Sequence, residues 1–228
     1  MALPQPPVTQ QIQREPRRLR GIPAAHLPRA AQLAEAALCP VVDRTGTHLP
    51  FGDLFREQRA LIVFVRHFLC YTTKEYVEDL AKVPKSFLTD ADVRLIVIGQ
   101  SSFHHIEPFC RLTGYSHEIY VDPEREIYKK LGMKRGEVIS VSAPSPHVKS
   151  NMLSGSLKSL WRAVTGPAFD FQGDPAQQGG ALILGPGNNV HFMHLDSNRM
   201  DHMPINSLLD QAGVQNVDFK PRPRIMDV

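Results

Sequence analysis

The sequence has few of the features that mark secreted or membrane proteins. It contains three cysteines, at positions 39, 70 and 110, and this odd number at wide spacing is not that of a disulfide scaffold. No apolar run approaches the length of a membrane-spanning helix. The first thirty residues hold six prolines and five arginines, so they also lack the apolar core of a secretory signal. We therefore expect a cytosolic or nuclear protein with no membrane association.

The charge is concentrated at the N-terminus. In residues 1–30, five arginines against one glutamate give +4, and subtracting this from the total of +3 leaves −1 for the rest of the chain. A nucleic-acid-binding domain would carry its positive charge on the folded part, so no nucleic-acid partner is expected. An acid-poor, arginine-bearing arm is also typical of mitochondrial transit peptides, but its prolines oppose the amphipathic helix that these require, and we rank mitochondrial import second.

Composition divides the chain into an arm, one domain and a tail. Residues 1–30 are rich in proline and arginine and are predicted to be disordered. Residues 31–216 have the patterning of a single domain, with a helical insertion near 151–165 that carries Trp161. Trp161 either packs this insertion or anchors a protein partner. Residues 217–228 are predicted to be a loose tail.

Strand and helix patterns alternate through the first half of this domain. Leu61–Val65 and Val93–Gly99 are unbroken apolar runs, which are typical of strands buried on both faces, and helical spacing follows each of them. Such alternation implies parallel strands joined by crossover helices. A hairpin is predicted later, with strands around 181–184 and 190–194 and a Gly-Pro-Gly-Asn-Asn turn. The order predicts a thioredoxin-like α/β fold of three layers, with a mixed central sheet and helices on both faces.

Prolines give three predicted helix boundaries. Pro84 is expected to end the helix that follows Cys70. Pro108 is expected to kink or shorten the helix that ends at Gly114. Asp122-Pro123 is expected to open a helix with the proline in its first turn.

Cys70 lies where the first buried strand changes to helical spacing. The first turn of a helix has unpaired N–H groups and the positive end of the helix dipole, and both favour a thiolate. This position predicts a redox-active nucleophile. The other interpretation is a small buried hydrophobic residue, which is the common role of a free cysteine.

Four other residues, two of them next to this junction, have roles that the sequence leaves open. Arg66 could stabilise a Cys70 thiolate or pair with a glutamate of the helix. Thr73 could donate a hydrogen bond to the thiolate or contribute only to capping. Cys110 is either a resolving thiol or a core residue, and Cys39 is interpreted as structural or incidental.

The ten histidines do not suggest a metal site. His104 and His105 are adjacent on a predicted helix, and His191 and His194 are three apart on a predicted strand, so the members of each pair face different directions. No C-x-x-C pair accompanies them. We expect neither a metal nor a cofactor.

Several long segments resemble the peroxiredoxin-like 2 family, whose members are of the alkyl hydroperoxide reductase and thiol-specific antioxidant type. They are FVRHFLC, KEYVEDL, LIVIGQ, EPFCRLTGY, EIYVDPEREIYKKLG and GDPAQQGGALILGPGN. The resemblance implies a thioredoxin fold and an antioxidant thiol oxidoreductase that reduces peroxides or disulfides through Cys70. It also implies an external thiol reductant of the thioredoxin or glutathione type.

The chain departs from that family's pattern at three places. The family commonly has C-x-x-C at this junction, but Thr73 stands in the fourth position here. The proline and the threonine or serine that precede a typical peroxidatic cysteine are absent before Cys70, and Gly179-Gly180 occupies the place of the thioredoxin cis-proline. These departures favour the alternative function, a non-catalytic module that acts in regulation or signalling through protein contacts.

Overall fold

The computed structural model describes residues 30–136, 147 and 173–219. The predicted arm as far as residue 29, the insertion at 151–165 with Trp161, and the tail beyond 219 lie outside these residues. One seven-stranded mixed sheet runs through the described part, in the order β2-β1-β5-β4-β3-β6-β7. The strands are β1 (Pro40–Val42), β2 (His48–Pro50), β3 (Arg59–Phe64), β4 (Val93–Gly99), β5 (Glu118–Val121), β6 (Gly180–Leu184) and β7 (Val190–Leu195).

In the part of the chain that the structure describes, six α-helices pack on the two faces of this sheet. They are α1 (Ala30–Ala37), α2 (Tyr71–Leu80), α3 (Lys85–Asp90), α4 (Ile106–Thr113), α5 (Glu126–Lys130) and α6 (Ile205–Ala212), with 3-10 turns at Phe51–Leu54 and Phe103–His105. One hydrophobic cluster lies under α2, α4 and α6, and the other lies under α1 and α5. The prediction of helices on both faces of a mixed sheet is confirmed.

The central strands pair in parallel, as their composition predicts. β3 pairs with β4 in the register Leu61↔Leu95, and β4 pairs with β5 in the register Val97↔Ile119. Because both faces of β3 and β4 are covered, nearly every side chain along them is buried. Parallel strands end at the same edge of a sheet, so the segments after β3, β4 and β5 meet at one edge, which we call the carboxyl edge.

The predicted C-terminal hairpin is present, and it closes the sheet on the other side of β3. β6 runs antiparallel to both β3 and β7, and its first residue, Gly180, pairs with Phe64 at the end of β3. β6 therefore begins at the carboxyl edge, directly beside the segment that leads to Cys70.

One of the proline-based boundaries is wrong and another is confirmed. Pro108 shortens its helix rather than kinking it: α4 begins only two residues before Pro108, and the preceding turn at Phe103–His105 is a 3-10 helix. The helix predicted from Asp122-Pro123 begins only at Glu126, because Arg125 has a left-handed backbone with φ of +58°. The Asp122 carboxylate still caps it, accepting the N–H groups of Glu126 at 3.1 Å and Ile127 at 2.9 Å.

Pro84 has a role beyond ending a helix. α2 ends at Leu80, four residues before Pro84, and Pro84 is the N-cap of a further short helix, α3, that the sequence pattern did not indicate. Proline is tolerated there because the first residues of a helix have no acceptor for their N–H groups. α3 fills the crossover between α2 and β4.

Candidate active site

Cys70 is the N-cap residue of α2, with an extended backbone at φ −77° and ψ 123°. Its N–H donates to the carbonyl of His67 at 2.9 Å, and its own carbonyl accepts the Lys74 N–H at 3.0 Å, which starts the helix. The residue is 7% exposed. The predicted strand-to-helix junction is therefore where the structure places Cys70.

The loop that carries Cys70 is anchored by Phe68. This ring stacks on Phe109 of α4 at a centroid distance of 4.2 Å and interplanar angle of 10°. It also lies on Gly99, where a Cβ atom would come within 2.4 Å of it. The Phe68 N–H donates to the Ser101 hydroxyl at 3.3 Å. These contacts hold the loop against the carboxyl ends of β3 and β4.

The hydroxyl beside Cys70 belongs to Thr72, which sequence reasoning missed. Thr72 Oγ1 lies 3.0 Å from Cys70 Sγ, and both groups are buried. The Thr73 hydroxyl is also buried, but within the described part of the chain it has no hydrogen-bond partner. The sequence did contain a signal for this contact. Thr72 follows the N-cap residue by two positions, so its hydroxyl lies in the same helical turn as the Cys70 sulfur.

Arg66 lies just past β3, and its guanidinium is buried. It donates to the carbonyl of Pro175, in the loop that precedes β6. The adjacent His67 is kept neutral, because burial and the nearby Arg66 charge lower its pKa to about 4. The imidazole is therefore an uncharged neighbour of the Cys70 loop at physiological pH.

Residues 173–178 cross the carboxyl edge as a strap with several anchors. The Asp174 carboxylate accepts from Arg125 at 2.8 Å and from Arg135 at 2.6 Å. The Asp174 backbone exchanges two hydrogen bonds with the Gln100 amide, at 2.9 and 3.1 Å. The strap thus joins the ends of three strands, and it carries the carbonyl that Arg66 binds.

The other two cysteines lie in less reactive surroundings. Cys110 is half-buried on α4, and burial raises the pKa of its thiol, with Glu107 adding to the effect. Burial likewise raises the pKa of Cys39, whose Sγ points to the carbonyl of Glu35 at 3.6 Å. All three cysteines are free thiols. Raised pKa values reduce the thiolate fraction at Cys39 and Cys110 near neutral pH.

A buried cluster of acids and imidazoles follows β7. Asp196 lies 2.6 Å from the Nδ1 atom of His202 and 3.4 Å from the Nε2 atom of His194. Burial opposes ionisation of Asp196, but the two imidazoles outweigh it and hold the pKa of the carboxyl below its usual value. Burial also opposes the charge of His194, but its contacts with Asp196 and Asp201 outweigh this effect and raise its pKa.

Protonated His194 should give the fold a pH-dependent contribution. Because its folded pKa is raised, the contribution is complete below the unfolded pKa of about 6.5 and is lost as pH rises through the folded value. We expect His194→Gln to lose about 1.5 kcal/mol of unfolding free energy at pH 6, the scale of a charge-assisted hydrogen bond, and less at pH 8.5. Urea unfolding of both proteins measures this, and a difference that stayed constant with pH would contradict it.

Two features are absent from the described residues, a metal-binding cluster and a membrane-spanning helix. In residues 30–136, 147 and 173–219, no three histidine, cysteine or acidic side chains are grouped closely enough to hold a metal ion. None of the helices in those residues has both the length and the apolar composition to cross a membrane.

Comparison with known proteins places this arrangement in a family. The model of the AhpC/TSA antioxidant enzymes matches residues 79–198. Peroxiredoxin-like 2C of Bos taurus is 68% identical over 231 residues, which are 100% of both chains. Peroxiredoxin-like 2C of Homo sapiens is 70% identical over 209 residues, 91% of this chain and 92% of the human one.

A solved structure supports the fold independently. Peroxidoxin BcpB from Mycobacterium tuberculosis superposes with a TM-score of 0.51 at 10% identity, over 76% of this chain and 88% of that one. This likeness confirms the predicted thioredoxin-like α/β fold, and the family as a whole supports a redox-related function. Because the similarity to the peroxiredoxin-like 2C proteins covers the whole chain, the protein belongs to the AhpC/TSA family, in its peroxiredoxin-like 2 group.

Proposed function

We propose that the protein is a thiol oxidoreductase that reduces peroxides or disulfides through Cys70. The observation that carries this proposal is the position of the Cys70 sulfur at the start of α2, 3.0 Å from a threonine hydroxyl. Helix N-termini favour anions, and a hydroxyl can donate to a thiolate, so both features stabilise the reactive form. The family match begins at residue 79, after Cys70, so the role of this residue rests on geometry.

With a peroxide, the proposed step is a two-electron transfer. The Cys70 thiolate attacks one peroxide oxygen, so that an S–O bond forms and the O–O bond breaks. The leaving oxygen takes up a proton from solvent and departs as water or an alcohol. Cys70 becomes a sulfenic acid, and Thr72 is proposed to donate a hydrogen bond to the thiolate before attack. Arg66 is proposed to add positive charge to the same edge.

Return to the thiol form is proposed to need an outside reductant. Thr73 supplies no thiol in the fourth position, and the raised pKa of Cys110 makes it a slow partner at neutral pH. A thioredoxin- or glutathione-type thiol would attack the sulfenic acid to give a mixed disulfide and water. A second thiol would then release Cys70. Resolution by Cys110 is the slower route.

A second candidate is a non-catalytic module that acts through protein contacts. The small exposure of Cys70, 7%, favours this alternative, because a bulky substrate or partner thiol cannot reach the sulfur without local movement. The neighbouring Leu69 side chain is 40% exposed and offers an apolar contact at the same place. The two candidates differ in whether Cys70 reacts.

Peroxide treatment followed by a dimedone-type sulfenic acid trap distinguishes them. We expect trapping at Cys70 to be at least about tenfold faster than at Cys39 or Cys110, because burial raises the pKa of both other thiols. Cys70→Ser should abolish the fast labelling, whereas the matched variants Cys39→Ser and Cys110→Ser should keep it. Peptide mass spectrometry locates the adduct. Equal, slow labelling of all three cysteines would support the module.

A further inference from the structure

A cavity of about 450 Å³ lies at the edge of the sheet opposite to the Cys70 loop. It is lined by the first residues of β4, by residues 116–118 at the start of β5, by α3 and by the turn between β1 and β2. Because β4 has seven residues and a strand rises about 3.3 Å per residue, roughly 20 Å separate this cavity from the carboxyl edge. The cavity has the size of a small-molecule site and is separate from the candidate active site.

The inner lining of the cavity is apolar and held in place by the core. Leu88, Val93 and Leu95 are each at most 6% exposed, and all three belong to the hydrophobic cluster under α2, α4 and α6. The rim is also fixed at Asp92, which has a left-handed backbone with φ of +52° and accepts a hydrogen bond from the Gln58 amide at 2.7 Å. The cavity is therefore already formed without a ligand.

Glu118, an acid of the cavity wall, has its partners inside the protein. One of its carboxylate oxygens accepts from Arg94 Nε at 2.8 Å, and the other accepts from Arg94 Nη2 and from the Tyr120 hydroxyl. Arg94 also donates to the Leu54 carbonyl at 2.6 Å, which fixes the guanidinium. The charges of Glu118 and Arg94 thus neutralise each other, and Glu118 is not available to a further cation.

Two other cations that line the cavity have no such partner. Arg44 comes from the turn between β1 and β2, and Lys85 comes from α3. Within residues 30–136, 147 and 173–219, neither forms an ion pair. Asp43, the chain neighbour of Arg44, uses its carboxylate to accept the N–H groups of Thr45 and Thr47, at 2.8 and 2.9 Å.

The remaining titratable groups of the lining leave a surplus of positive charge. His117 Nε2 lies 3.0 Å from the Val83 carbonyl and donates to it, and burial lowers the pKa of His117, so the imidazole is uncharged at neutral pH. Asp92 is the lining acid that is not paired with a cation, and Arg44 and Lys85 outnumber it. A cavity with an apolar interior and unneutralised cations favours a negatively charged ligand.

We propose that this cavity is a binding site for a small organic anion that carries a carboxylate or phosphate group on an apolar body. The anionic group pairs with Arg44 and Lys85. The apolar body packs against Leu88 and Leu95. The ligand takes no part in thiol chemistry, because it lies at the edge of the sheet away from Cys70.

Titration calorimetry of the full chain with phenyl phosphate and with phenylacetate tests this proposal. At least one of them should bind with a dissociation constant of about 1 mM or lower, and the tighter one identifies the preferred anionic group. Inorganic phosphate lacks the apolar body and benzyl alcohol lacks the charge, so each should bind at least about tenfold more weakly.

Removal of the two cations should weaken the binding. The double variant Arg44→Gln with Lys85→Gln should raise the dissociation constant about tenfold or more, because it leaves the anionic group without a countercharge. Lys129→Gln is the matched control, since Lys129 is an exposed lysine that pairs with Glu126 on α5. It should leave the dissociation constant unchanged.

A second measurement needs no substitution. In the methyl-labelled wild-type protein, the resonances of Leu88 and Leu95 should shift along the calorimetric binding curve, whereas those of Leu33 under α1 should not. Binding without these shifts would overturn the proposal, as would equal affinity in the double variant or for inorganic phosphate. Absence of binding of both organic anions at about 10 mM would also overturn it. Cys70→Ser should bind as tightly as the wild type, so this proposal stands or falls separately from the proposed function.

Discussion

Replacing Thr73 with cysteine is expected to produce a protein that closes a disulfide between Cys70 and the new thiol after a single oxidation. Residues 70 and 73 are the N-cap and the third residue of α2, one helical turn apart. Neighbours at this spacing are about 5–6 Å apart between Cβ atoms, and a disulfide needs its Cβ atoms about 3.5–4.5 Å apart. Small backbone adjustments at the helix start would therefore complete the bond.

The effect on the oxidised state should be large. In the wild-type protein, a Cys70 sulfenic acid has no thiol in its own helical turn and waits for an outside reductant. A thiol held in the same turn has an effective concentration of at least the millimolar range, so we expect the lifetime of the sulfenic acid to fall about 100-fold or more. Intact mass spectrometry would show the loss of two hydrogens relative to the reduced protein, reversible by dithiothreitol.

Thr73→Ser is the matched control for this experiment, since it keeps a hydroxyl at the position and adds no thiol. It should form no local disulfide under the same peroxide treatment. A persistent sulfenic acid in Thr73→Cys would contradict the placement of both side chains in one turn. Rapid closure would show that Thr73 alone prevents a local disulfide in this chain, and that the need for an external reductant follows from this one residue.

Replacing Gly179 with alanine is expected to give a large loss of stability for a single added methyl group. A Cβ atom on Gly179 would lie 2.0 Å from the carbonyl oxygen of Phe64 and 2.9 Å from its carbonyl carbon. Both are backbone atoms of β3, which is held between β4 and β6, so they cannot move aside as a flexible side chain could. We expect a loss of about 3 kcal/mol or more, at or beyond the usual range for overpacking.

Gly187→Ala is a suitable control for Gly179→Ala. Gly187 also lies near β6 and has a left-handed backbone, with φ of +64°, but no atom lies within 4 Å of its added Cβ. It should cost about 1 kcal/mol through backbone strain alone. Urea unfolding gives the loss of unfolding free energy in each variant, from the steric clash in Gly179→Ala and from backbone strain in Gly187→Ala. Losses of equal size would contradict the steric argument.

The same close approach accounts for one departure from the thioredoxin pattern. The resemblance to the family puts Gly179-Gly180 at the expected place of the thioredoxin cis-proline. Here the Gly179 carbonyl accepts the Asp196 N–H at 3.1 Å, and the Asp196 carboxylate lies 3.3 Å from the Gly179 Cβ position. The Phe64 carbonyl and the Asp196 carboxylate, which also pairs with His202, therefore fill the space that a side chain at position 179 would need.

The sequence by itself determined the central strands, the C-terminal hairpin and the position of Cys70, the candidate nucleophile, at a helix start. Unbroken apolar runs can be buried on both sides only in the middle of a sheet, so β3 and β4 follow from composition. The change of period after Phe64 placed Cys70 at a helix start, and the Gly-Pro-Gly-Asn-Asn turn placed β6 beside β7. These features depend on residues close together in the chain, so the spacing of apolar and turn residues along the sequence predicts them.

Only the tertiary structure decided which groups surround that nucleophile. Periodicity could not show that Thr72, rather than Thr73, bonds to the Cys70 sulfur, because the extended cap conformation sets the rotation of the first turn. Nor could it show that Arg66 binds the carbonyl of Pro175, over a hundred residues away in the chain. Contacts of this kind depend on how packed elements are brought together at one edge of the sheet, and spacing along the sequence does not encode that distance.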